Sequence, residues 1–517
     1  MAFRILWVDD QIEELRSHIV FLGEKGYAVD GVTNGRDAVA MLRETPYDAV
    51  LLDEMMPGMG GLETLEELKR VRENVPVVMV TKSEEEELLD RAIGRRIDDY
   101  LVKPVSPLQV VSVLKRLLEG RRIRGERVNR EYLRHYAEVT RRLAEVDTPA
   151  DWEELYADMV GWELELFAYG DHALLETHAE QRAEANRVFA RWVRERYGDW
   201  TEGDPAAPLL SPRLFETWIL PELARAPQVV WIVIDCMRLD QWRYVEDLLE
   251  PYYHLERRLY WSLLPTATPF ARNALFAGLW PREIARRYPD WWRGSSRQQH
   301  SKNAHEAELL GEMLRRLGSD AADSYKYYKV FDARDTDDLR RHVGSLEGVR
   351  LVAAVYNFLD IMAHGRSQST ILKELAPDVA AFRSLMRSWF EHSTLLEVLR
   401  TLSRRDVTVV LTTDHGSTHC HRATTVRGNR DTSTNVRYKY GDNLGVVDKE
   451  VYLLADPEAH GLPRQSPIEN YAVAVEDYYM VYPTNFHEYE RLYRGSFQHG
   501  GVSLEEMIVP FCVLRPR

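Results

Sequence analysis

At 517 residues the chain exceeds what one hydrophobic core holds, and at about 150 residues per domain it divides into roughly three. Hydrophobic residues make up 45% of it, enough for folded cores, yet no apolar run approaches the ~20 residues that cross a bilayer, so membrane insertion is not expected. A net charge of −15 disfavours sequence-independent binding to duplex DNA, which draws on Lys and Arg to neutralise phosphates.

Three cysteines, Cys236, Cys420 and Cys512, make neither a disulfide framework nor the paired spacing of a structural zinc site. The chain starts Met-Ala-Phe-Arg-Ile-Leu-Trp-Val, without a signal-peptide core, and a cytoplasmic location is expected.

Residues 1–120 alternate short Val/Leu/Ile runs (4–8, 49–52, 75–80 and 100–102) with amphipathic stretches, which predicts a doubly wound α/β domain. Asp9 and Asp10 end the first run and Asp53 ends the second, so three carboxylates converge at one sheet edge and would hold Mg²⁺ through hard oxygens. Thr81 and Lys103 follow two later runs and offer a hydroxyl and an ammonium to phosphoryl oxygens. Asp9-Asp10, Asp53-Glu-Met-Met-Pro-Gly-Met-Gly-Gly61, Thr81 and Lys103-Pro104 together resemble the receiver domain of two-component response regulators. That resemblance implies Asp53 as phosphoryl acceptor, Mg²⁺ on Asp9, Asp10, Asp53 and the Met55 carbonyl, Thr81 as switch hydroxyl and Tyr100 as switch aromatic. It also implies a sensor histidine kinase as partner.

From Leu108 to about Tyr197 strand signals vanish, and helical spacing at 131–145, 151–169 and 172–197 predicts a small helical bundle over 121–205. The basic stretch 121–142 holds eight Arg against three Glu and reads as a solvated helix. Breakers over 198–212 mark the boundary to a third domain, 206–517.

That last region contains apolar runs that end in carboxylates or histidines. Val229-Val-Trp-Ile-Val-Ile234 meets Asp235, the run from Leu351 meets Asp360 with His364 four residues on, and the run from Val407 meets Asp414 and His415. His499 adds a further ligand, and buried parallel strands present such groups at their carboxyl ends. Six ligands suggest a pair of divalent ions. Within Leu264-Pro-Thr-Ala-Thr-Pro-Phe-Ala-Arg-Asn-Ala-Leu-Phe-Ala-Gly278, Thr268 is predicted as the N-cap of a short helix with Pro269 at its first position. Near a metal its hydroxyl becomes a nucleophile; Thr266, two residues earlier, competes for that role. Ser503 and Glu506 match a capping box, which puts His499 in the loop before a helix.

The order Asp235, Thr268, Asp360, His364, Asp414, His415, His499 resembles the alkaline phosphatase superfamily over about residues 210–517. Ser503-Leu-Glu-Glu-Met-Ile-Val-Pro510 after His499-Gly-Gly resembles its PglZ branch. The resemblance implies an α/β/α domain with two Zn²⁺, one on Asp235, Thr268, Asp414 and His415 and the other on Asp360, His364 and His499. His419 and His421 read as groups that orient a ligand, touch substrate or face solvent, and Cys236 reads as a small core residue. Arg272 reaches a phosphate or a carboxylate, or supports its helix. Trp291 and Trp292 read as a packed insertion or as a lid that stacks on a base.

Receiver, helical connector and PglZ-like domain in this order resemble the PorX-type response regulators associated with type IX secretion. That family implies a zinc-dependent phosphodiesterase acting on oligonucleotide-type substrates, dimerisation on phosphorylation, and regulator or secretion-system partners. Two other readings stay open on these residues. One is monoester hydrolysis or phosphoryl transfer at the same metals; the other is a phosphorylation-gated scaffold that works by partner binding.

Overall fold

The structure, a computed structural model, describes residues 3–517 except 73–74, 83–96, 293–302, 332–334, 336–347, 429–434 and 485. It divides into two compact units, Met1–His135 and Tyr136–Arg517.

In the first unit, strands β1 (Phe3–Val8), β2 (Tyr27–Val32), β3 (Ala49–Asp53), β4 (Val77–Thr81) and β5 (Asp99–Val102) form a parallel sheet of order β2-β1-β3-β4-β5. Helices α1 (Arg16–Glu24), α2 (Gly35–Glu44) and α3 (Gly61–Val71) connect the strands. All five residues of β3 and of β4 are buried, as strands covered on both faces must be. Asn34 caps α2 by accepting from the Asp37 amide at 3.0 Å. β2 carries Asp30 and Gly31, residues that strands disfavour, and its apolar periodicity is too weak to predict it.

Helix α4 (Pro107–Glu145) runs without a break across position 120, and the division between the units falls inside it. In the second unit α5 (Pro149–Tyr169) and α6 (His172–Glu202) follow. Thr148 and Asp151 form a capping box at the start of α5, Pro149 occupies its first turn, and Gly170 closes it at φ 81°. α6 passes through Gly198, where breakers predicted an end, and stops at Gly203, whose φ of 98° ends helices readily. One glycine inside a long amphipathic helix costs about 1 kcal/mol, too little to stop it.

A six-stranded sheet follows, built from β6 (Val229–Ile234), β7 (Tyr253–Trp261), β8 (Tyr325–Val330), β9 (Leu351–Tyr356), β10 (Thr408–Thr412) and β11 (Ile508–Pro516) in the order β7-β11-β10-β6-β9-β8. β10, β6, β9 and β8 are mutually parallel, and β11 runs antiparallel to both neighbours. β6, β9 and β10 are buried at every position, so their carboxyl ends open on one side of a dry sheet. Trp261 at the end of β7 packs on Phe189, Trp192 and Trp200 of α6 at centroid distances of 5.4–5.9 Å, which fixes the bundle to the sheet edge. Burying such rings contributes a few kcal/mol each at about 25 cal/mol per Å². Among the described residues no helix is long and apolar enough to cross a membrane.

Candidate active site

In the first unit the carboxyl ends of β1 and β3 bring Asp9, Asp10 and Asp53 together, with ligand oxygens within 4.8 Å of one another. Asp9 and Asp53 are buried and Asp10 is exposed. Lys103 reaches both buried carboxylates, its Nζ 2.9 Å from Asp9 Oδ2 and 3.0 Å from Asp53 Oδ2. Burial raises the Asp53 carboxyl, Lys103 opposes this, and Asp9 adds repulsion, so Asp53 stays above its ordinary range. The Thr81 hydroxyl donates to Glu54, a partner that sequence reasoning did not single out. Tyr100 is 41% and Met55 66% exposed.

In the second unit the strand ends carry two further clusters. Asp235 follows β6, and Asp414 and His415 follow β10; their ligand atoms converge within 4.8 Å, and all three are buried. Asp360, His364 and His499 form the other cluster. The sequence pattern predicted Asp360 at the end of a strand, and the structure corrects this. β9 stops at Tyr356, and Asp360 lies in the first turn of helix α8 (Phe358–Gln368). His364 then falls one turn later on the same helix face, the i,i+4 spacing that brings two ligands together.

The two clusters are adjacent, since the His415 and His499 rings stack at a centroid distance of 4.3 Å. Oδ1 of Asp235 and Oδ2 of Asp414 are buried and accept no hydrogen bond, an arrangement that costs several kcal/mol in an apolar interior unless a cation faces it. His364 Nε2 and His499 Nε2 point at each other across 2.9 Å, each 3.2 Å from Asp360 Oδ1. Lone pairs and carboxylate oxygens converging this closely suit divalent cations, and the oxygen and imidazole donors fit Zn²⁺ or Mn²⁺.

The electrostatics agree with this fit. Burial raises Asp235 to about 7, against the pull of Arg272 and with repulsion from Asp414 and Asp360, and burial raises Asp414 to about 6. Burial works against the Asp360 carboxylate too, but His364 and His499 hold it well below its usual range. Burial lowers His415 and His499, which favours the neutral rings that ligate metals. His415 Nδ1 lies 3.0 Å from the Gly416 carbonyl, and with the proton on that nitrogen the Nε2 lone pair faces the cluster.

The structure separates the two threonines. Thr266 is fully buried; its hydroxyl donates to Gly501 O at 2.7 Å and accepts from the Gly500 amide at 3.1 Å, so it is engaged with the loop behind His499. Thr268 is half-buried, and its Oγ1 lies 3.1 Å from His415 Nε2. Helix α7 (Thr268–Ala277) has Ala267 as its N-cap, so Thr268 stands one position later than predicted and makes no capping bond. Its hydroxyl turns to the cluster instead.

Ser503 accepts from the Glu506 amide at 3.2 Å as expected and opens a four-residue helix, Leu504–Met507. Glu506 also accepts from the Gly501 amide at 2.8 Å and pairs with buried Arg437, which braces the loop after His499. Cys236 is buried against Ala363, Ala376, Phe382 and Phe497, a core residue as predicted. His419 stacks on Phe497, with its Nε2 2.8 Å from Gly495 O, and His421 is exposed; neither belongs to a described ligand cluster. Trp292 packs on Phe270, and Trp291 lies between Tyr288 and His305, while the rest of that segment, 293–299, falls outside the described residues. Arg141 and Arg142 of the basic stretch pair with Glu138, Glu145, Glu154 and Asp158. Arg272 reaches a carboxylate: Nη1 donates to Asp235 Oδ2 at 2.5 Å.

Three known families match along the chain. The BREX system PglZ alkaline phosphatase-like domain matches residues 214–514, the response regulator receiver domain residues 5–115, and the PorX response regulator linker domain residues 122–201. Transcriptional regulatory protein ResD of Bacillus subtilis is 39% identical over 115 residues, 22% of this chain and 48% of ResD. Transcriptional regulatory protein BaeR of Escherichia coli is 34% identical over 190 residues, 36% of this chain and 71% of BaeR. The chain thus spans about half the length of ResD and more of BaeR. A CheY-like response regulator receiver domain protein from Methanospirillum hungatei is 28% identical at a TM-score of 0.23, covering 23% of this chain and 96% of that one. A two-component response regulator from Clostridium difficile is 25% identical at a TM-score of 0.22, with 23% and 96% covered.

Proposed function

From a chain that belongs to the PglZ alkaline phosphatase-like family and joins that domain to a response regulator receiver and a PorX linker domain, we propose a phosphorylation-controlled, zinc-dependent phosphodiesterase. The observation that carries this reading is the meeting of two ligand triads, two buried carboxylate oxygens without donors, and the Thr268 hydroxyl beside His415. Asp235, Thr268, Asp414 and His415 would hold one Zn²⁺, and Asp360, His364 and His499 the other. When bound, the ions supply Lewis-acid stabilisation of phosphoryl oxygens and lower the pKa of a neighbouring hydroxyl.

The chain's own residues do the rest. α7 presents Thr268 Oγ1 at its N-terminal turn, where backbone N–H groups favour a phosphoryl anion. Thr268 gives its proton to solvent and attacks phosphorus in line, the bond to the ester's first oxygen breaks, and that alkoxide takes a proton from solvent to leave as an alcohol. Water then attacks the phosphothreonine, releases the monoester and restores the hydroxyl, so phosphorus keeps its configuration. Asn303 Nδ2 donates to the Thr268 carbonyl at 3.1 Å and steadies the nucleophile's backbone.

In this proposal Asp53 takes its phosphoryl group from a sensor histidine kinase, with Mg²⁺ on Asp9, Asp10, Asp53 and the Met55 carbonyl. Thr81, Tyr100 and Lys103 read the phosphorylated state, and the output is a homodimer with altered phosphodiesterase activity. The PorX linker match supports the resemblance to PorX-type regulators, and the proposal takes from that resemblance oligonucleotide-type substrates, a role in type IX secretion and a cytoplasmic site of action.

The test is p-nitrophenol release by zinc-loaded protein from bis-p-nitrophenyl phosphate and from p-nitrophenyl phosphate, with Thr268→Ala as control. Diester hydrolysis lost in Thr268→Ala supports the proposal. Preference for the monoester moves the assignment to a phosphomonoesterase, and bound metal without turnover of either ester points to a scaffold.

A further inference from the structure

Of the three aspartates in the two clusters, Asp235 is the one whose carboxylate is shared with an arginine. Its Oδ2 accepts from Arg272 Nη1 at 2.5 Å, while Oδ1 is buried without a donor. The same guanidinium donates through Nε to Glu306 Oε1 at 2.6 Å. Glu306 is 1% exposed and far from the ligands in sequence, yet it gathers a network: Asn303 Nδ2 at 2.9 Å, Lys329 Nζ at 2.9 Å and the Tyr327 hydroxyl. Asn303 in turn holds the Thr268 carbonyl. Burial would push the Glu306 carboxyl up, but Arg272 and Lys329 outweigh it and keep Glu306 ionised.

Arg272 therefore lies between two buried carboxylates, in surroundings where charge is poorly screened. How its positive charge divides between Glu306 and Asp235 sets how much negative charge Asp235 offers to a cation. The Arg272 bond also fixes which oxygen of Asp235 faces the cluster.

We propose that Glu306 is a positioning residue for a divalent cation at Asp235, Asp414 and His415. Through Arg272 it aims Oδ1 of Asp235 at the ion and preserves its charge, and through Asn303 it ties that geometry to the backbone of Thr268. The inference rests on the metal reading above and deepens it. Glu306 meets Arg272, Asn303, Tyr327 and Lys329, whereas Asp360 of the second cluster meets His364 and His499, so the affinity of that second cluster serves as an internal reference.

The test titrates metal-free, full-length protein with Zn²⁺ against a chromophoric chelator and follows Co²⁺ d–d absorption at each binding step. Glu306→Gln keeps the shape and an acceptor but loses the charge, and it weakens one of the two sites by about 10–100-fold, the usual effect of removing a partner behind a metal ligand. The other site keeps its affinity, and Glu306→Asp recovers part of the loss. Two sites of wild-type affinity in Glu306→Gln would overturn the proposal. Equal weakening of both would overturn it too, because that marks general loosening of the fold. A wild-type protein that binds no Zn²⁺ would instead remove the metal reading on which the proposal stands.

Discussion

Replacing each of the two neighbouring threonines by valine separates a structural hydroxyl from a reactive one. Valine keeps the volume of threonine and deletes only the hydroxyl. At Thr266 that hydroxyl makes two bonds inside the protein, to Gly501 O at 2.7 Å and from the Gly500 amide at 3.1 Å. With the side chain fully buried, Thr266→Val leaves a carbonyl and an amide without this partner, at about 1–3 kcal/mol each, or about 2–6 kcal/mol in all. At Thr268 the hydroxyl is half-buried and meets His415 Nε2 alone at 3.1 Å, so Thr268→Val costs under about 1 kcal/mol. Activity runs the other way. Thr268→Val removes the attacking oxygen and lowers diester turnover by roughly 10³-fold or more, while metal-saturated Thr266→Val stays within about one order of magnitude of wild type. Urea unfolding followed by tryptophan fluorescence reads the first quantity, and p-nitrophenol release per folded molecule reads the second. If Thr266→Val were as stable as wild type, or Thr268→Val turned over at the wild-type rate, the assignment of the two hydroxyls would fall.

Two further outcomes test other parts of the chain. Burial lowers the Lys439 amine to about 7, although it donates to Asn435 O at 2.8 Å, so between pH 7 and its ordinary value the unfolded chain binds the extra proton and stability rises with pH. Lys439→Met removes up to about 1.4 kcal/mol per pH unit of that slope, measurable from urea midpoints at pH 7.5 and 9.5, and an unchanged slope would refute the burial argument. Lys103→Met leaves buried Asp9 and Asp53 facing each other without their ammonium and destabilises the receiver by about 1–3 kcal/mol, discounted for the lysine's partial exposure. Millimolar Mg²⁺ recovers part of that loss in thermal unfolding, whereas equal loss with and without Mg²⁺ would refute a cation site there.

Much of the candidate site was legible because buried parallel strands read as unbroken apolar runs, and a carboxylate at the end of one stands out. Asp53, Asp235 and Asp414 are of this kind. Asp360 was found by the same rule for a wrong reason: Leu351–Tyr356 is the strand, and the apolar Phe358 and Leu359 that seemed to extend it begin a helix. The choice between Thr266 and Thr268 was not legible, since two hydroxyls two residues apart differ only in what the folded chain sets against them. Glu306 left no signal at all. It opens helix Glu306–Arg316, whose acidic start is ordinary, and only the tertiary approach of Arg272 gives it a role. β2 was missed because Asp30 and Gly31 break its pattern, and pairing with β1 overrides that local preference.

The place of β11 has a consequence for biosynthesis. This strand, Ile508–Pro516, inserts between β7 and β10, whose chain positions precede it by about 250 and 100 residues, and among the described strands it is the one that joins β7 to the rest of the sheet. His499 lies just before it. A ribosome must therefore carry an unclosed sheet with a bare strand edge, and an incomplete set of imidazoles, until translation passes residue 516. The sheet and the ligand clusters at its strand ends are completed in an order set by chain position, with His499 and β11 made after β6, β9 and β10.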